Sequence, residues 1–188
     1  MEIKTWREVT SLTAEEISEH ISDGSADIQV YVSTWNRYNS GTLDGAWLDL
    51  ESFRDAEALY DYINKMFSDE WESDTLEPMW QDWEGVPDCL QDDGACMRDL
   101  ERVYEWLALD DDKREAVAEY WDEVEDASDV DDILDRLEWE GDPNDYYDEM
   151  VRIYYPWIDG PAGRYFDWDT WRKDCAEDYI ETTHYVFS

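Results

Sequence analysis

Positive charge is scarce in this chain, with only 14 Lys and Arg among 188 residues, and only two residues are histidine. Nucleic acid and anionic membrane surfaces are recognised by clustered Lys and Arg, so neither is an expected partner. His20 and His184 belong to no readable triad or metal-binding pattern. No phosphate-cradling loop is present, since Gly41-Thr-Leu-Asp-Gly45 lacks the lysine of a P-loop. Calcium-loop spacing, D-x-D-x-D-G with Glu at position twelve, is absent as well. The three cysteines, Cys89, Cys96 and Cys175, are odd in number and fit no zinc spacing. They read as free thiols of a reducing compartment. Met1 to Leu12 contains no apolar run of signal-peptide type, and no stretch approaches about 20 apolar residues. A cytoplasmic location, no membrane contact, no cofactor, no metal and no catalysis are therefore expected.

Negative charge is abundant. Fifty-two Asp and Glu leave a formal net charge of −38. With that many carboxylates some pair falls at glycosidase spacing by chance, so carboxylate pairs carry no information. The chain is nonetheless built to fold: 43% of it is hydrophobic, with 12 Trp and 13 Tyr, which excludes a disordered acidic tail. Such a charge opposes compaction by self-repulsion. Halophilic adaptation leaves the Trp and Tyr content unexplained, and solubility alone needs only a few net charges. A cationic partner surface remains. Because the chain repels nucleic acid, that partner is expected to be a protein that itself binds nucleic acid.

Periodicity predicts an α+β chain of three small units in series, elongated overall, behind an N-terminal extension over 1–26. Thr13-Ala-Glu-Glu16 reads as a capping box opening a short helix that Gly24 ends. The first unit, 27–90, is α+β. Ile28, Val30 and Val32 alternate with polar residues as a strand with one buried face. Tyr38-Asn39-Ser40-Gly41 is turn chemistry, and Gly45 to Leu50 forms a second strand. Ser52 caps a helix bearing Ala56, Leu59, Tyr60, Ile63, Met66 and Phe67, and Pro78 to Trp83 forms another strand. The second unit, 91–141, is a helical bundle. Its stripes are Leu100, Val103, Tyr104, Leu107; then Val117, Tyr120, Trp121, Val124; then Val130, Ile133, Leu134, Leu137, capped by Ser128. In the third, 142–188, Asp142-Pro143 starts a helix, a second helix runs from about Asp169 to Tyr179, and Thr182 to Phe187 closes as a strand.

Acidic residues interleave with these apolar stripes. Between Asp110 and Glu140, 15 acidic residues face three basic ones, a net of −12. Asp111, Glu115, Glu119, Asp122 and Asp126 recur at steps of three and four, which aligns them on one helix ridge roughly 6 Å apart. Each such like-charge pair costs a few tenths of a kcal/mol, and interspersed cations do not relieve it. Glu57, Asp61, Asp69, Glu70, Asp131, Asp132, Asp135 and Glu138 complete the expected partner-binding surface. Duplex DNA carries one charge per roughly 1.7 Å of axis, so 38 charges correspond to about 65 Å of duplex and a dimer's charges to about 130 Å. Tyr146, Tyr147, Met150, Val151, Tyr154, Tyr155 and Trp157 place seven large apolar or aromatic side chains within twelve residues. One helix cannot bury them all, and exposed clusters of this kind mark interfaces, so this stretch is the expected homodimer contact. On the residues alone, a DNA-shaped polyanion and a generic acidic chaperone or binder of histone-like proteins both remain open, with a carboxylate-based hydrolase a distant third.

Several segments resemble the ArdA family of antirestriction proteins. They are Ile28-Gln-Val-Tyr-Val-Ser-Thr34, Tyr38-Asn39-Ser-Gly41, and Gly45-Ala-Trp47-Leu48-Asp-Leu50. Gln81-Asp82-Trp-Glu84-Gly85-Val-Pro87 is similar to the family's Q-D-x-E-G-x-P signature, and Tyr165-Phe166-Asp167 to Asp174 and His184-Tyr-Val-Phe187 continue the likeness. It covers most of 28–90 and 164–187, while 91–145 matches in character only. The resemblance implies an elongated three-domain protein that dimerises and mimics bent B-form DNA. It also implies inhibition of type I restriction-modification complexes, at their DNA-binding specificity and methyltransferase subunits, protecting incoming plasmid or transposon DNA. It carries over no catalytic residue.

Overall fold

In the computed structural model, which describes residues 4–124 and 128–188, the elements gather into two units, Met1–Ala108 and Leu109–Ser188. The first contains α1 (Trp6–Val9), α2 (Ala14–His20), β1 (Ile21–Ser22), β2 (Gln29–Thr34), α3 (Trp35–Asn39), β3 (Ala46–Asp49), α4 (Ala56–Met66), α5 (Ser68–Glu72), β4 (Pro78–Glu84) and α6 (Met97–Leu107). The second contains α7 (Asp111–Val124), α8 (Val130–Arg136), β5 (Leu137–Glu140), α9 (Pro143–Tyr154), α10 (Trp168–Ala176), β6 (Ile180–Glu181) and β7 (Tyr185–Phe187). Cys89, Cys96 and Cys175 form no disulfide among the described residues. Among the described residues no helix is long and apolar enough to cross a membrane.

The first unit is an antiparallel sheet of order β1-β3-β2-β4 with helices packed on it. Val30 and Val32 are fully buried, as the alternation predicts, but Gln29, Ser33 and Thr34 on β2 are buried too. The one-faced reading of this strand is therefore corrected. β2 lies between two neighbours; Ser33 donates to the Asp44 carbonyl at 2.8 Å, Thr34 donates to Glu70 Oε1 at 3.0 Å, and Gln29 donates through Nε2 to Glu84. Satisfied hydrogen bonds are what make such burial tolerable. Gln81 is the extra residue where the β2–β4 register shifts. At the end of β4, Gly85 has φ +72°, and a Cβ there would lie 2.1 Å from the Asp27 carbonyl oxygen. The glycine of the Q-D-x-E-G-x-P segment is thus required by a left-handed turn against its neighbour strand's lead-in.

Helix α4 buries Ala56, Leu59, Tyr62, Ile63 and Met66 at helical spacing. Each such large side chain contributes about 1.5–3 kcal/mol. Its cap is Asp55, whose carboxylate accepts from the Ala58 amide at 2.8 Å; Ser52 instead ends a 3-10 turn, Leu50–Ser52. Thr13 caps α2 with Glu16 reaching back, as the box predicts, but the helix stops at His20 because Ile21–Ser22 pairs with β3. Ile21–Ser22 of the predicted extension thus belongs to the sheet. Helix α6, read from the sequence as part of a central bundle, packs on α4 in the first unit and buries Leu100, Val103 and Trp106.

In the second unit the sheet order is β5-β7-β6, and all three residues of the central β7 are buried. α7 and α8 pack together, bringing Val117, Trp121 and Ile133 into the core. The Tyr120 ring meets Phe187 edge-on at 4.9 Å. Asp129, not Ser128, caps α8 through the Asp131 and Asp132 amides. The third apolar stripe leaves the helix at Leu137, where β5 begins and pairs with β7. Asp142 caps α9 with Pro143 in its first turn, as predicted. Arg172 of α10 grips Asp148 of α9 through both carboxylate oxygens at 2.8 Å.

Candidate functional site: acidic helix faces and an aromatic cluster

The amphipathic stripe of α7 turns Ala116, Val117, Tyr120 and Trp121 inward and leaves its carboxylates outward. Asp111, Glu115 and Asp122 are exposed; Asp126, the last member of the predicted ridge, lies outside the described residues. Arg114 reaches Asp111 at 2.6 Å and Lys113 reaches Asp110 at 3.0 Å, and both cations of the helix lie near its start. Glu119 is drawn in: its carboxylate accepts from His184 Nδ1 at 2.7 Å and from the His184 amide at 3.1 Å. Burial alone would raise the Glu119 carboxyl, but hydrogen bonds from Thr182 and His184 outweigh it and hold it below the ordinary range. The same contact raises the His184 imidazole.

Glu119, Asp122 and Glu123 of α7 line a groove with Glu181 at the end of β6 and Thr182 and Thr183 of the turn after it. Glu123 and Glu181 are absent from the sequence-predicted surface, because nothing in a linear pattern shows that the turn returns to α7. Glu115, Glu119 and His184 bring ligand atoms within 4.8 Å of one another. They are the described residues best placed to hold a cation, although His184 Nδ1 is already committed to Glu119. Asp131, Asp132 and Asp135 are exposed on α8, and Glu138 is exposed on β5.

In the first unit Glu57 and Asp61 lie one turn apart on the outer face of α4, both exposed. Asp69 and Glu70, adjacent in α5, diverge. Asp69 is exposed, whereas Glu70 is 3% exposed and is removed from the partner-facing set. Glu70 turns inward to the fully buried Arg37, whose Nε lies 2.9 Å from its Oε1. Burial pushes the Glu70 carboxyl up, opposed by the Thr34 hydroxyl and the Arg37 charge. Arg37 also reaches Asp44 at 2.9 Å and Asp69 at 3.2 Å. The sequence reading missed Arg37, and its only signal was a cation in a chain that has so few.

The aromatic stretch of α9 also divides. Tyr147 and Val151 are core residues, 2% and fully buried respectively, and leave the expected interface. The Tyr147 hydroxyl donates to Glu181 Oε1 at 2.5 Å, and its ring contacts Tyr146 and Tyr179. Tyr146 and Met150 are partly covered. Tyr154, Tyr155 and Trp157 are exposed, and so are Ile153 and Tyr165, which the sequence reading did not include.

Fold and surface together define a folded polyanion: two α+β units with sealed aromatic cores and carboxylates in rows on the outer faces of their helices. The chain belongs to the ArdA family of antirestriction proteins, whose family model, described as antirestriction protein (ArdA), matches residues 30–187. None of the curated proteins compared with the chain matches it. Membership brings antirestriction function and, with it, interaction with restriction-modification enzymes. The matched region begins inside β2, so α1, α2 and β1 lie outside it.

Proposed function

We propose that the protein inhibits type I restriction-modification complexes by occupying the DNA-binding groove of their specificity and methyltransferase subunits as a mimic of bent B-form DNA. The observation that carries this reading is the outer face of α7. From Glu115 to Val124 it bears Glu115, Glu119, Asp122 and Glu123 and no Lys or Arg. Ten residues of helix span about 15 Å, and with Glu119 engaged by His184 the exposed Glu115, Asp122 and Glu123 give a carboxylate about every 5 Å, of the order of the roughly 3.4 Å charge spacing along one DNA strand. Lys and Arg that normally meet phosphates would meet these carboxylates instead. The helix fixes the backbone that carries these carboxylates, so binding orders side-chain rotamers and not the chain itself. No bond is made or broken in this reading, and specificity lies in the layout of charge.

A homodimer joined through the exposed part of the C-terminal aromatic cluster is part of the proposal. It doubles the charged length, and the exposed set Ile153, Tyr154, Trp157 and Tyr165 supports it. The setting is cytoplasmic, where a restriction complex meets incoming plasmid or transposon DNA.

The test is competition. Purified protein is titrated against a type I complex bound to labelled duplex, with cleavage and methylation followed in parallel. Displacement of the duplex with loss of activity is expected. Unchanged DNA binding across a panel of type I enzymes overturns the proposal. A histone included as a control reports the alternative: equal affinity for it would mark generic binding of basic proteins.

A further inference from the structure

Residues 4–22 precede the family-matched region yet are tied into the first unit along their length. The Trp6 side chain is 3% exposed, and its Nε1 donates to the Gly45 carbonyl at 3.0 Å. Ser11 N donates to the Lys65 carbonyl at 3.0 Å, and Glu16 pairs with Lys65 at 2.8 Å. His20 stacks on Phe53 with centroids 4.2 Å apart and bonds Ser52 Oγ through Nδ1 at 2.8 Å. β1 then pairs with β3. Two further ties lead to the buried Arg37, one directly and one through its partner Asp44. Arg37 Nη1 donates to the Lys4 carbonyl at 2.6 Å, and the Trp6 amide donates to Asp44 Oδ2 at 2.5 Å. That oxygen is the one that accepts from Arg37 Nη1 at 2.9 Å. The other side of the same guanidinium, Nη2, holds Asp69.

We infer that residues 4–22 are a strap whose Lys4 carbonyl holds Arg37 Nη1 and whose Trp6 amide holds the Asp44 carboxylate on that same nitrogen, and that the strap thereby positions Asp44 and the exposed carboxylate of Asp69. A guanidinium is a rigid planar fork, so fixing the Nη1 side fixes the direction in which Nη2 presents Asp69. A buried Arg tolerates few unfilled donors. Without the strap the Lys4 carbonyl is lost and the fork must re-aim. Lys4, Trp6 and Arg37 act on the partner surface as positioning residues, through Asp69. The consequence for binding rests on the proposed reading of that surface; the positioning itself does not.

Trp6→Pro tests this with little backbone disturbance. Trp6 is the first residue of α1, where proline is tolerated, and Thr5 before it has φ −66° and ψ 155°, the extended conformation a pre-proline residue requires. The substitution removes the amide donor and the indole, whereas Trp6→Phe keeps the donor and an aromatic ring. Carboxylate carbon resonances of Asp44 and Asp69 are followed by NMR in both variants and in a chain lacking residues 1–12. Both resonances are expected to move in Trp6→Pro and in the truncated chain and to stay in place in Trp6→Phe. Competition with DNA for a type I complex is expected to weaken by about threefold to fivefold in the first two, the range of one surface carboxylate contact. Arg37→Lys, which keeps the charge and loses the fork, is expected to speed hydrogen exchange at the Trp6 amide.

An unmoved Asp69 resonance in Trp6→Pro, or unchanged Trp6 exchange in Arg37→Lys, overturns the positioning. Moved resonances with unchanged competition overturn its role in binding. A wild-type protein that displaces no DNA overturns the functional reading instead, and the resonances still decide on the strap.

Discussion

His184 and Glu119 are 65 positions apart in sequence, and the structure joins them twice, through the imidazole Nδ1 at 2.7 Å and the main-chain amide at 3.1 Å. The pair ties the start of β7 to the middle of α7. It also converts one carboxylate of a charged ridge into a structural contact, with Glu115 Oε1 4.0 Å from the same nitrogen.

That contact has a pH signature. His184 is raised from its ordinary value of 6.5, chiefly by the Glu119 hydrogen bond. Its contribution to stability is complete below 6.5 and lost as pH rises through the raised value. Glu119 is lowered, so its contribution is present above the ordinary 4.5 and lost as pH falls through the lowered value. An NMR titration of the His184 ring is expected to show a midpoint above 6.5 that returns toward it in Glu119→Gln. Equal midpoints in the two proteins would show that the contact does not form in solution.

Removing Arg37 exposes the cost of the buried charges around it. Arg37→Met is expected to destabilise the first unit by about 3–5 kcal/mol, because Glu70 is left buried without its cation. Burial holds the Glu70 carboxyl above the ordinary carboxylate range, and losing Arg37 raises it further, so protonation relieves the penalty and the difference from wild type narrows as pH falls toward that range. Urea unfolding at neutral and acid pH measures both. A loss under about 1 kcal/mol at neutral pH would contradict the buried network.

Tyr154 and Tyr147 are predicted to behave oppositely although both lie on α9. Tyr154 is 64% exposed, so Tyr154→Glu is expected to leave the fold intact and shift the protein to monomer by light scattering at micromolar concentration. Tyr147 is in the core, and even Tyr147→Phe, which loses only the hydroxyl bonded to Glu181, is expected to cost about 1–2 kcal/mol in urea unfolding. A wild-type protein already monomeric at that concentration disproves the interface.

Salt is expected to weaken the complex with a restriction enzyme less steeply than it weaken the same enzyme's DNA complex. DNA condenses counterions and releases them on binding, while these carboxylates are spread over a wider folded body. Affinities measured across a salt series give both slopes. A slope for the protein as steep as that for DNA would refute this account.

Local chemistry made a good part of the chain legible. The burial of Val30 and Val32, the Ala56, Leu59, Ile63 and Met66 positions of the α4 stripe, the capping box at Thr13 and the Asp142-Pro143 start each depend on neighbours a few residues away and stand in the structure, whereas Tyr60 is only half-buried and Tyr62 is buried in its place. Net charge and the segments around Gly41, Gly85 and Phe187 likewise pointed to the family without coordinates. Leu137 shows where this stops. It continues a helical stripe in sequence, but β7 is available to pair with it, and it becomes strand.

The division of the acidic and aromatic residues between surface and interior was decided by the tertiary structure alone. Asp69 and Glu70 are chemically alike and adjacent, yet only Glu70 is buried, because Arg37 lies inward and 33 positions upstream. Tyr147 and Tyr154 both satisfy the helical pattern, yet Glu181 and Tyr179 cover only the first. Composition states how much charge a chain must carry, and periodicity states which face of each element is apolar. Which carboxylates keep their water depends on what distant segments bring against them, and a buried charge persists only where those segments supply its partner.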